Sequence, residues 1–378
     1  MSLTAGGTAV ELAGEAVAAA LADAGLTRAD VDGLLVCSSQ GVRPDRVGVA
    51  LARTGGFGDL RLLEHLEIKG ATAAAMVQHA VLAVASGLAT TVVCVFADAP
   101  LRPGGTSGTT YARSGGDDGL RGLERASGIL GSVPTYALLA ARYLALAGGS
   151  EEDLCAVARA ARSWAMGNPD AVARAPLTRD DYFASRMVSS PLRLLDCARP
   201  VNGGAALVVG TPRRGDASRP PVHVRGMGQW HPMRRRRAPG ESWFGADADE
   251  AGTRQALDRV LQAAGRRRDD IDVLQLYDPF SVITLCLLES YGFCPWGEAG
   301  PLVRSGATSP GGSLPTNTGG GQLSGFYLQG MTPLVEAMVQ LRGDGGDRQV
   351  GGAGTALVAG IGGRVDHHAF LVLDREAA

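Results

Sequence analysis

The sequence lacks the residue patterns that mark metal-binding and nucleic-acid-binding proteins. Its six cysteines lie far apart, form no C-x-x-C pair and show no metal-ligand spacing. Lysine is limited to Lys69, and the formal net charge is −2. Such a charge argues against broad attraction to nucleic acid or to an anionic membrane. We therefore predict no bound metal and no nucleic-acid partner.

Segments that direct a chain to or across a membrane are also missing. Residues Met1–Gly7 contain neither a basic nor an apolar segment, so no signal peptide is expected. No uninterrupted apolar run reaches the ~20 residues that a membrane-spanning helix needs. The hydrophobic share of 45% and the charged share of 20% are typical of a globular protein with a substantial core. We predict a cytoplasmic protein without a membrane span.

An internal repeat organises the chain. The run LADAGLTRADVDGLLVC at Leu21–Cys37 matches LQAAGRRRDDIDVLQLY at Leu261–Tyr277. Each copy is typical of an amphipathic helix, a glycine that ends it, a short acidic turn and a strand buried on both faces. The repeat predicts two related α/β halves, residues 1–215 and 220–378, joined near Arg213–Pro221.

Local signals predict further elements in each half. Thr8 and Glu11 have capping-box spacing at the start of the first helix. Each half continues with a glycine-led helix and then a strand: Ala71–Gly87 and Thr91–Phe96 in the first half, about Leu323–Leu341 and Thr355–Val358 in the second. The second half opens with a strand at Val222–Arg225, whereas the first half begins directly at its helix. The opening strand of the second half therefore has no counterpart in the first half, where the first strand is missing.

Residues of about 100–191 lack this alternation. This segment is Gly-rich at Gly104–Gly119 and has helical patterns over Pro134–Gly148 and Glu151–Met166. We interpret it as a loop domain inserted in the first half, and long excursions of this kind often carry substrate contacts.

Four segments carry distinctive motifs: Asn168–Gly210 with its LDC run and Gly/Ala-rich strand, YDPFS at Tyr277–Ser281, NTGGGQLSGFY at Asn317–Tyr327 and AGIGGRVDHHAFLVL at Ala359–Leu373. These segments resemble the thiolase superfamily, and the resemblance covers essentially the whole chain. It is greatest to the sterol-carrier-protein-x-type thiolases and the lipid-transfer-protein-type steroid side-chain aldolases. The resemblance implies a thiolase-like α/β fold of two duplicated βαβαβ halves with an inserted loop domain, here with the first strand missing.

The catalytic side chains of thiolases are replaced in this sequence. The nucleophilic cysteine of the family lies eighteen residues, inclusive, before a helix-ending glycine, and counting back from Gly87 gives Gly70. Tyr327 stands where the family has its histidine after the Asn-x-x-Gly-Gly loop, and Gly360 stands where it has a second cysteine. Nucleophilic catalysis needs a thiolate and an adjacent base. An acyl-enzyme mechanism of the usual kind is therefore not expected.

The resemblance implies a pair of phenols in place of those groups. Steroid side-chain aldolases of this superfamily cleave a carbon–carbon bond of a β-hydroxyacyl-CoA, and Tyr277 and Tyr327 would be the working pair here. A phenol both donates and accepts hydrogen bonds, so two of them can supply a base and a donor. Which tyrosine is base and which is donor stays open. The glycines Gly70 and Gly360 are expected to leave room where a nucleophile stood.

Other residues of the matching segments have supporting or undecided roles. Loop-shaping residues are expected at Asn317, Gly320, Gly321 and Ser324. His368 is expected either to line the site or to be an ordinary strand-end histidine. Because His367 and His368 are adjacent on a strand, they point to opposite faces and are not expected to share a metal.

Rival hypotheses remain at the level of sequence. A Schiff-base aldolase mechanism through Lys69 is less favoured than an unreactive role, in which the ammonium group of this lysine lies in water. Acyl transfer through Cys197 or Cys294 and a non-catalytic acyl-CoA- or lipid-binding scaffold are the alternatives to a lyase. The arginine runs at Arg234–Arg237 and Arg266–Arg268 are interpreted as solvated loop and turn residues, with a phosphate-binding role as the alternative.

The family resemblance also implies partners. The substrate is expected to be an acyl-CoA thioester, so CoA enters as part of the substrate and no separate cofactor is expected. A homodimer is implied, together with a small zinc-ribbon/OB-fold protein that completes the site or guides the acyl chain.

Overall fold

The computed structural model describes residues 6–39, 44–101, 119–211, 219–232, 252–363 and 365–377. The arginine run Arg234–Arg237, nearly all of the Gly-rich segment Gly104–Gly119 and most of the junction Arg213–Pro221 lie outside the described residues. The division at residues 215–220 thus stays a prediction.

Helices and short strands alternate along the chain. The helices are α1 (Ala9–Asp23), α2 (Pro44–Thr54), α3 (Thr72–Ala85), α4 (Gly119–Ala126), α5 (Ser132–Ala147), α6 (Glu151–Met166), α7 (Arg179–Ala184), α8 (Thr253–Ala263), α9 (Ser281–Ser290), α10 (Ala299–Arg304) and α11 (Met331–Arg342). The strands are β1 (Gly33–Cys37), β2 (Leu62–Leu66), β3 (Thr91–Asp98), β4 (Met187–Ser189), β5 (Leu192–Arg193), β6 (Gly203–Gly210), β7 (His223–Trp230), β8 (Val273–Leu276), β9 (Thr355–Gly362) and β10 (His367–Asp374).

Two four-stranded mixed sheets form the centre of the fold. Their strand orders are β2-β1-β3-β6 and β7-β10-β9-β8, and β4 pairs with β5 in a separate hairpin. Each large sheet contains a parallel pair, β1 with β3 or β8 with β9, followed by an antiparallel neighbour, β6 or β10. In the second sheet β7 adds a further antiparallel strand beside β10. Among the described residues, no strand beside β6 corresponds to β7.

The duplication extends to individual hydrogen bonds. The Asp32 carboxylate accepts from the backbone N–H of Thr91 at 2.9 Å, and Asp272 accepts from the N–H of Thr355 at 2.9 Å. Each aspartate thereby ties the start of one strand to the start of its parallel neighbour. The repeat detected in the sequence therefore encodes the same local structure twice.

The helix ends follow the sequence signals. Thr8 and Glu11 form the predicted capping box of α1. Gly25 and Gly265 follow α1 and α8 with φ values of 67° and 65°, the left-handed conformation that glycine adopts without steric cost.

The two sheets share a buried core with the two glycine-led helices between them. Helix α3 packs on both sheets, and α11 packs on the second sheet, on β6 and on α3. All five residues of β1 and all four of β8 are buried, as predicted for strands covered on both faces. Helices α1 and α2 cover the outer face of the first sheet.

One predicted helix is shorter than expected. The sequence indicated a helix from about Leu323 to Leu341, but α11 begins at Met331, and Gly321–Gly325 forms a separate single turn of π-helix. The prediction is wrong because Phe326 has an extended backbone, with φ −161° and ψ 151°, which interrupts the helical path. The break leaves Tyr327 in the connection between the two pieces.

The inserted segment is largely helical where it is described. It contributes α4 to α7 and the β4–β5 hairpin, and α5 and α6 begin and end within two residues of the predicted bounds. Helix α6 packs against α9, α10 and the π-helical turn. The insertion therefore contacts the second half of the chain. Among the described residues, no helix has both the length and the apolar character needed to cross a membrane.

Candidate active site

Two phenols meet where β8 ends and the Gly-rich loop returns to the sheet. Tyr277 follows β8 directly, and its N–H donates to the carbonyl oxygen of Ala359 in β9 at 3.0 Å. Tyr327 lies just past the π-helical turn. Their hydroxyl oxygens are 3.2 Å apart, so the fold brings together the two residues that the sequence singled out.

The two vacated thiolase positions lie against this pair and are tightly filled. A Cβ added to Gly70 would overlap the Ile361 carbonyl oxygen and the ring of Tyr277, and one added to Gly360 would lie 2.9 Å from the Gly70 carbonyl oxygen. The expectation that the glycines leave room is therefore wrong, because the Tyr277 ring and the neighbouring backbone occupy that space. Glycine at position 70 is what allows the phenol to lie there.

Tyr277 is the more enclosed member of the pair. Only 6% of it is exposed, whereas Tyr327 is half-buried. Burial raises the pKa of Tyr277 well above its ordinary value, and a charge on Tyr327 would raise it further. Tyr277 therefore stays protonated and acts as a hydrogen-bond donor.

Gln329 provides a second acceptor for the Tyr277 hydroxyl. Its side-chain oxygen lies 3.4 Å from the Tyr277 oxygen, and the residue is 2% exposed. Gln329 has a φ of 52°, a left-handed conformation that is uncommon for a residue with a side chain. Strain of this kind clusters at functional sites. Sequence reasoning missed this residue, although it lies two positions after Tyr327.

The Gly-rich loop is held by close backbone contacts. Asn317 Oδ1 accepts from the N–H of Leu276 at 2.7 Å, which ties the loop to β8. A Cβ on Gly320 would lie 2.6 Å from the Cβ of Ala165, and one on Gly321 would overlap the Asp278 carboxylate. Ser324 Oγ accepts from Arg162 Nε at 3.1 Å. All four predicted loop-shaping residues thus hold the loop.

Asp278, next to Tyr277, is a buried acid that sequence reasoning did not single out. Its Oδ1 accepts from the N–H of Gln322 at 2.9 Å, and 1% of the residue is exposed. Burial raises the pKa of Asp278 to about 7, although hydrogen bonds from Gln322 and Asn317 oppose the shift. Its signal in the sequence was its place in the YDPFS segment. Asp278 fastens the π-helical turn to the end of β8.

Two of the resembling segments lie side by side at this edge. Asp196 of the LDC run accepts from Ser281 Oγ at 2.6 Å and from the Tyr182 hydroxyl at 2.8 Å. The N–H of Ala198 donates to the Pro279 carbonyl oxygen at 3.0 Å. These bonds join the segment that follows the insertion to the YDPFS segment and so support Tyr277.

A third phenol, Tyr136, approaches the pair from helix α5 and was also missed. Its ring stacks on Phe280 with centroids 4.5 Å apart and an interplanar angle of 25°. Burial raises the pKa of Tyr136, and a charge on Tyr327 would raise it further. Its signal in the sequence was weak, because it lies more than 100 residues from the other phenols.

His368 is a core histidine in this structure. It is 3% exposed, and its Nδ1 lies 3.0 Å from the Tyr291 hydroxyl oxygen. Burial lowers the pKa of His368 to about 3, so the ring is neutral. His367 turns the other way and places its Nδ1 3.0 Å from that of His231. The strand-end interpretation of His368 thus has support.

The side chains that the rival mechanisms would use, Lys69, Cys197 and Cys294, are poorly suited to those reactions. Lys69 pairs with Glu67 and has a half-exposed side chain, as the unreactive interpretation predicted. Burial raises the pKa of Cys197 to about 12 and that of Cys294 to about 12, so both thiols stay protonated near neutral pH. Among the described residues, no three histidine, cysteine or acidic side chains converge as metal ligands do.

A buried ion pair supports the Gly-rich loop from behind. Arg348 Nε donates to Glu336 Oε1 at 3.0 Å, and the Thr318 hydroxyl donates to the same oxygen at 2.9 Å. The pair borders a cavity of about 70 Å³ that is also lined by Gly319 and Gly321 of the loop. This polar cluster therefore helps to fix the loop.

Comparison with known proteins gives a consistent set of relatives. A family model for a thiolase C-terminal domain-like region matches residues 245–375. The chain is 34% identical over 372 residues to the 17-hydroxy-3-oxo-4-pregnene-20-carboxyl-CoA lyase of Mycobacterium tuberculosis, covering 96% of this chain and 94% of that protein. It is 34% identical over 353 residues to the steroid side-chain-cleaving aldolase of Thermomonospora curvata, covering 90% of this chain and 88% of that protein.

A solved structure of the Ltp2-ChsH2(DUF35) aldolase is similar over nearly the whole length. The TM-score is 0.82 at 32% sequence identity, and the match covers 98% of this chain and 94% of that chain. The similarity therefore includes the insertion as well as both sheets.

Proposed function

We propose, since this chain belongs to the thiolase-fold steroid side-chain-cleaving aldolases, that it cleaves a carbon–carbon bond of a bulky β-hydroxyacyl-CoA by retro-aldol chemistry. The observation that carries the proposal is the 3.2 Å approach of the Tyr277 and Tyr327 hydroxyls beside Gly70. No thiol can occupy the position of the thiolase nucleophile without displacing the Tyr277 ring. The phenols are the reactive groups that this arrangement leaves.

Burial supports a division of roles between the phenols. Tyr277 is enclosed and protonated, so it is the donor, and the base is then the half-buried Tyr327. In the resting enzyme the Tyr277 hydroxyl donates to the Gln329 side-chain oxygen, with 3.4 Å between the two oxygens. When Tyr327 is a phenolate, Tyr277 donates to it across 3.2 Å. A hydrogen bond to the charged form of a group stabilises that form.

The cleavage step balances with these two groups. Tyr327 takes the proton of the substrate's β-hydroxyl, and the oxygen electron pair forms the ketone double bond. The bond between Cα and Cβ breaks, and its electron pair passes into the thioester as an enolate. Tyr327 then gives that proton to Cα, which restores the base. The products are a ketone and a shorter acyl-CoA, and no separate cofactor takes part.

Substrate and partners are proposed from the relatives. One relative is named for a pregnene carboxyl-CoA and another for steroid side chains, so a steroid-like acyl group is the proposed substrate. The similar solved structure is named for two components, which supports a small zinc-ribbon/OB-fold partner for this chain as well. We include a homodimer and a cytoplasmic location in the same proposal.

Replacing the proposed base tests the assignment. Tyr327→Phe keeps the ring and removes the hydroxyl, so cleavage should fall by about 100-fold or more, the contribution expected of a general base. The assay is chromatographic release of ketone and short acyl-CoA from a β-hydroxyacyl-CoA with a tertiary steroid hydroxyl. Tyr143→Phe is the matched control, because Tyr143 is buried elsewhere and donates to Glu289 at 2.8 Å.

Two outcomes would overturn the proposal. Unchanged cleavage by Tyr327→Phe would remove the phenol from the mechanism. A labelled acyl-enzyme formed from a radioactive acyl-CoA would instead point to acyl transfer.

A further inference from the structure

Tyr136 holds a fixed place between the insertion and the strand that carries Tyr277. It lies in the second turn of α5 (Ser132–Ala147), and its ring stacks on Phe280, three residues after Tyr277. Stacked aromatic rings at a centroid separation of 4.5 Å restrict each other's orientation. The insertion thus delivers a phenol to the edge where Tyr277 and Tyr327 meet.

The hydroxyl of Tyr136 is only weakly satisfied within the protein. It lies 3.4 Å from the carbonyl oxygen of Gly363, in the turn after β9 and three residues beyond Gly360. Hydroxyl hydrogen bonds are usually 2.7–2.8 Å long. A donor with so long a bond can turn to a ligand oxygen at little cost. The residue is half-buried, and its contact with Gly363 is exposed.

The same hydroxyl is electrostatically close to the reactive pair. A charge on Tyr327 raises the pKa of Tyr136, and a charge on Tyr136 raises the pKa of Tyr277. Tyr136 therefore stays neutral and donates hydrogen bonds. The three phenols come from three separate parts of the chain: α5, the end of β8 and the Gly-rich loop.

We propose that Tyr136 is a substrate-binding residue whose hydroxyl donates to the oxygen on the β-carbon of the acyl-CoA, a hydroxyl in the substrate and a ketone in the product. This inference rests on the proposed function, because it takes Tyr327 as the base for that oxygen. The Tyr136 hydroxyl would hold the oxygen against Tyr327 before the proton moves. In this arrangement the insertion contributes to substrate binding through Tyr136.

Ligands that differ only in the β-oxygen test the proposal. Tyr136→Phe keeps the ring on Phe280 and removes the hydroxyl. We expect the inhibition constant of the ketone product to rise about 10-fold, the value of one hydrogen bond. The inhibition constant of the matching compound that lacks only the ketone oxygen should not change. The same substitution in the same helix, Tyr143→Phe, should leave both constants unchanged.

Equal weakening of both ligands, or no weakening of either, would overturn the proposal. Tyr136→Leu also removes the hydroxyl and should likewise weaken binding of the ketone alone. This second variant covers the case in which the Phe variant folds poorly. The outcome is separable from that of the proposed function. If Tyr327→Phe abolishes cleavage while Tyr136→Phe binds the ketone normally, only the role of Tyr136 fails.

Discussion

The contact between Gly70 and the Tyr277 ring predicts that the vacated nucleophile position accepts no side chain. The smallest test is Gly70→Ala, which adds one methyl group. That methyl would overlap the Ile361 carbonyl oxygen and approach Cε1 of Tyr277 to 2.5 Å. Neither neighbour can move freely, because the carbonyl belongs to the buried strand β9 and the Tyr277 ring lies in the core.

The expected cost follows from overpacking. Methyl groups forced into a well-packed core typically cost 1–3 kcal/mol. Because both neighbours of the added methyl are rigid, we expect a cost at the upper end of this range, and the free energy of unfolding of Gly70→Ala should fall by about 3 kcal/mol. Gly14→Ala in α1 is the matched control, since its Cβ would meet nothing within 4 Å. Alanine is a better helix former than glycine, so that variant should gain roughly 0.5–1 kcal/mol.

Urea unfolding followed by circular dichroism measures both variants. Cleavage should also fall in Gly70→Ala, because the Tyr277 ring must shift away from Tyr327. A Gly70→Ala variant as stable as the wild type and fully active would refute this account of the site. The same conclusion would follow if Gly70→Cys were stable and formed a labelled acyl-enzyme.

Two further predictions concern buried charges near the Gly-rich loop. The pKa of Asp278 is raised from 3.8 to about 7, so the unfolded chain ionises first and the protein loses stability as pH rises from about 4 to 7. At 1.36 kcal/mol per unit the loss is up to about 4 kcal/mol. Asp278→Asn should remove this pH dependence in urea unfolding, and identical pH profiles for the two proteins would contradict the prediction. Arg348→Leu leaves the Glu336 carboxylate buried without its partner and should cost about 3–5 kcal/mol in thermal or urea unfolding. Arg179→Leu, which breaks an exposed pair with Glu152, should change stability little, and equal losses in the two variants would count against the buried pair.

Much of the fold was predictable because its signals are local. The capping box of Thr8 and Glu11, the left-handed glycine at Gly25 and the apolar strand at Gly33–Cys37 each depend on a few neighbouring residues. The repeat of the same pattern after Leu261 then indicated two related halves. The continuous helix predicted from about Leu323 failed because a helical apolar pattern does not reveal the extended residue that interrupts it.

The sequence by itself determined which reactive groups are available. Glycines at 70 and 360 exclude a thiolase-type thiol, and tyrosines at 277 and 327 supply phenols instead. This information lies in residue identity and in position along the chain, so no three-dimensional structure was needed for it.

Only the tertiary structure decided how those groups meet. Tyr277 and Tyr327 are 50 residues apart, and their 3.2 Å approach depends on the pairing of β8 with β9 and on the break after the π-helical turn. The filling of the space at Gly70, the left-handed Gln329 and the arrival of Tyr136 from the insertion likewise arise from contacts between distant segments. Such contacts cannot be read from the local sequence, because they form only when the whole core packs.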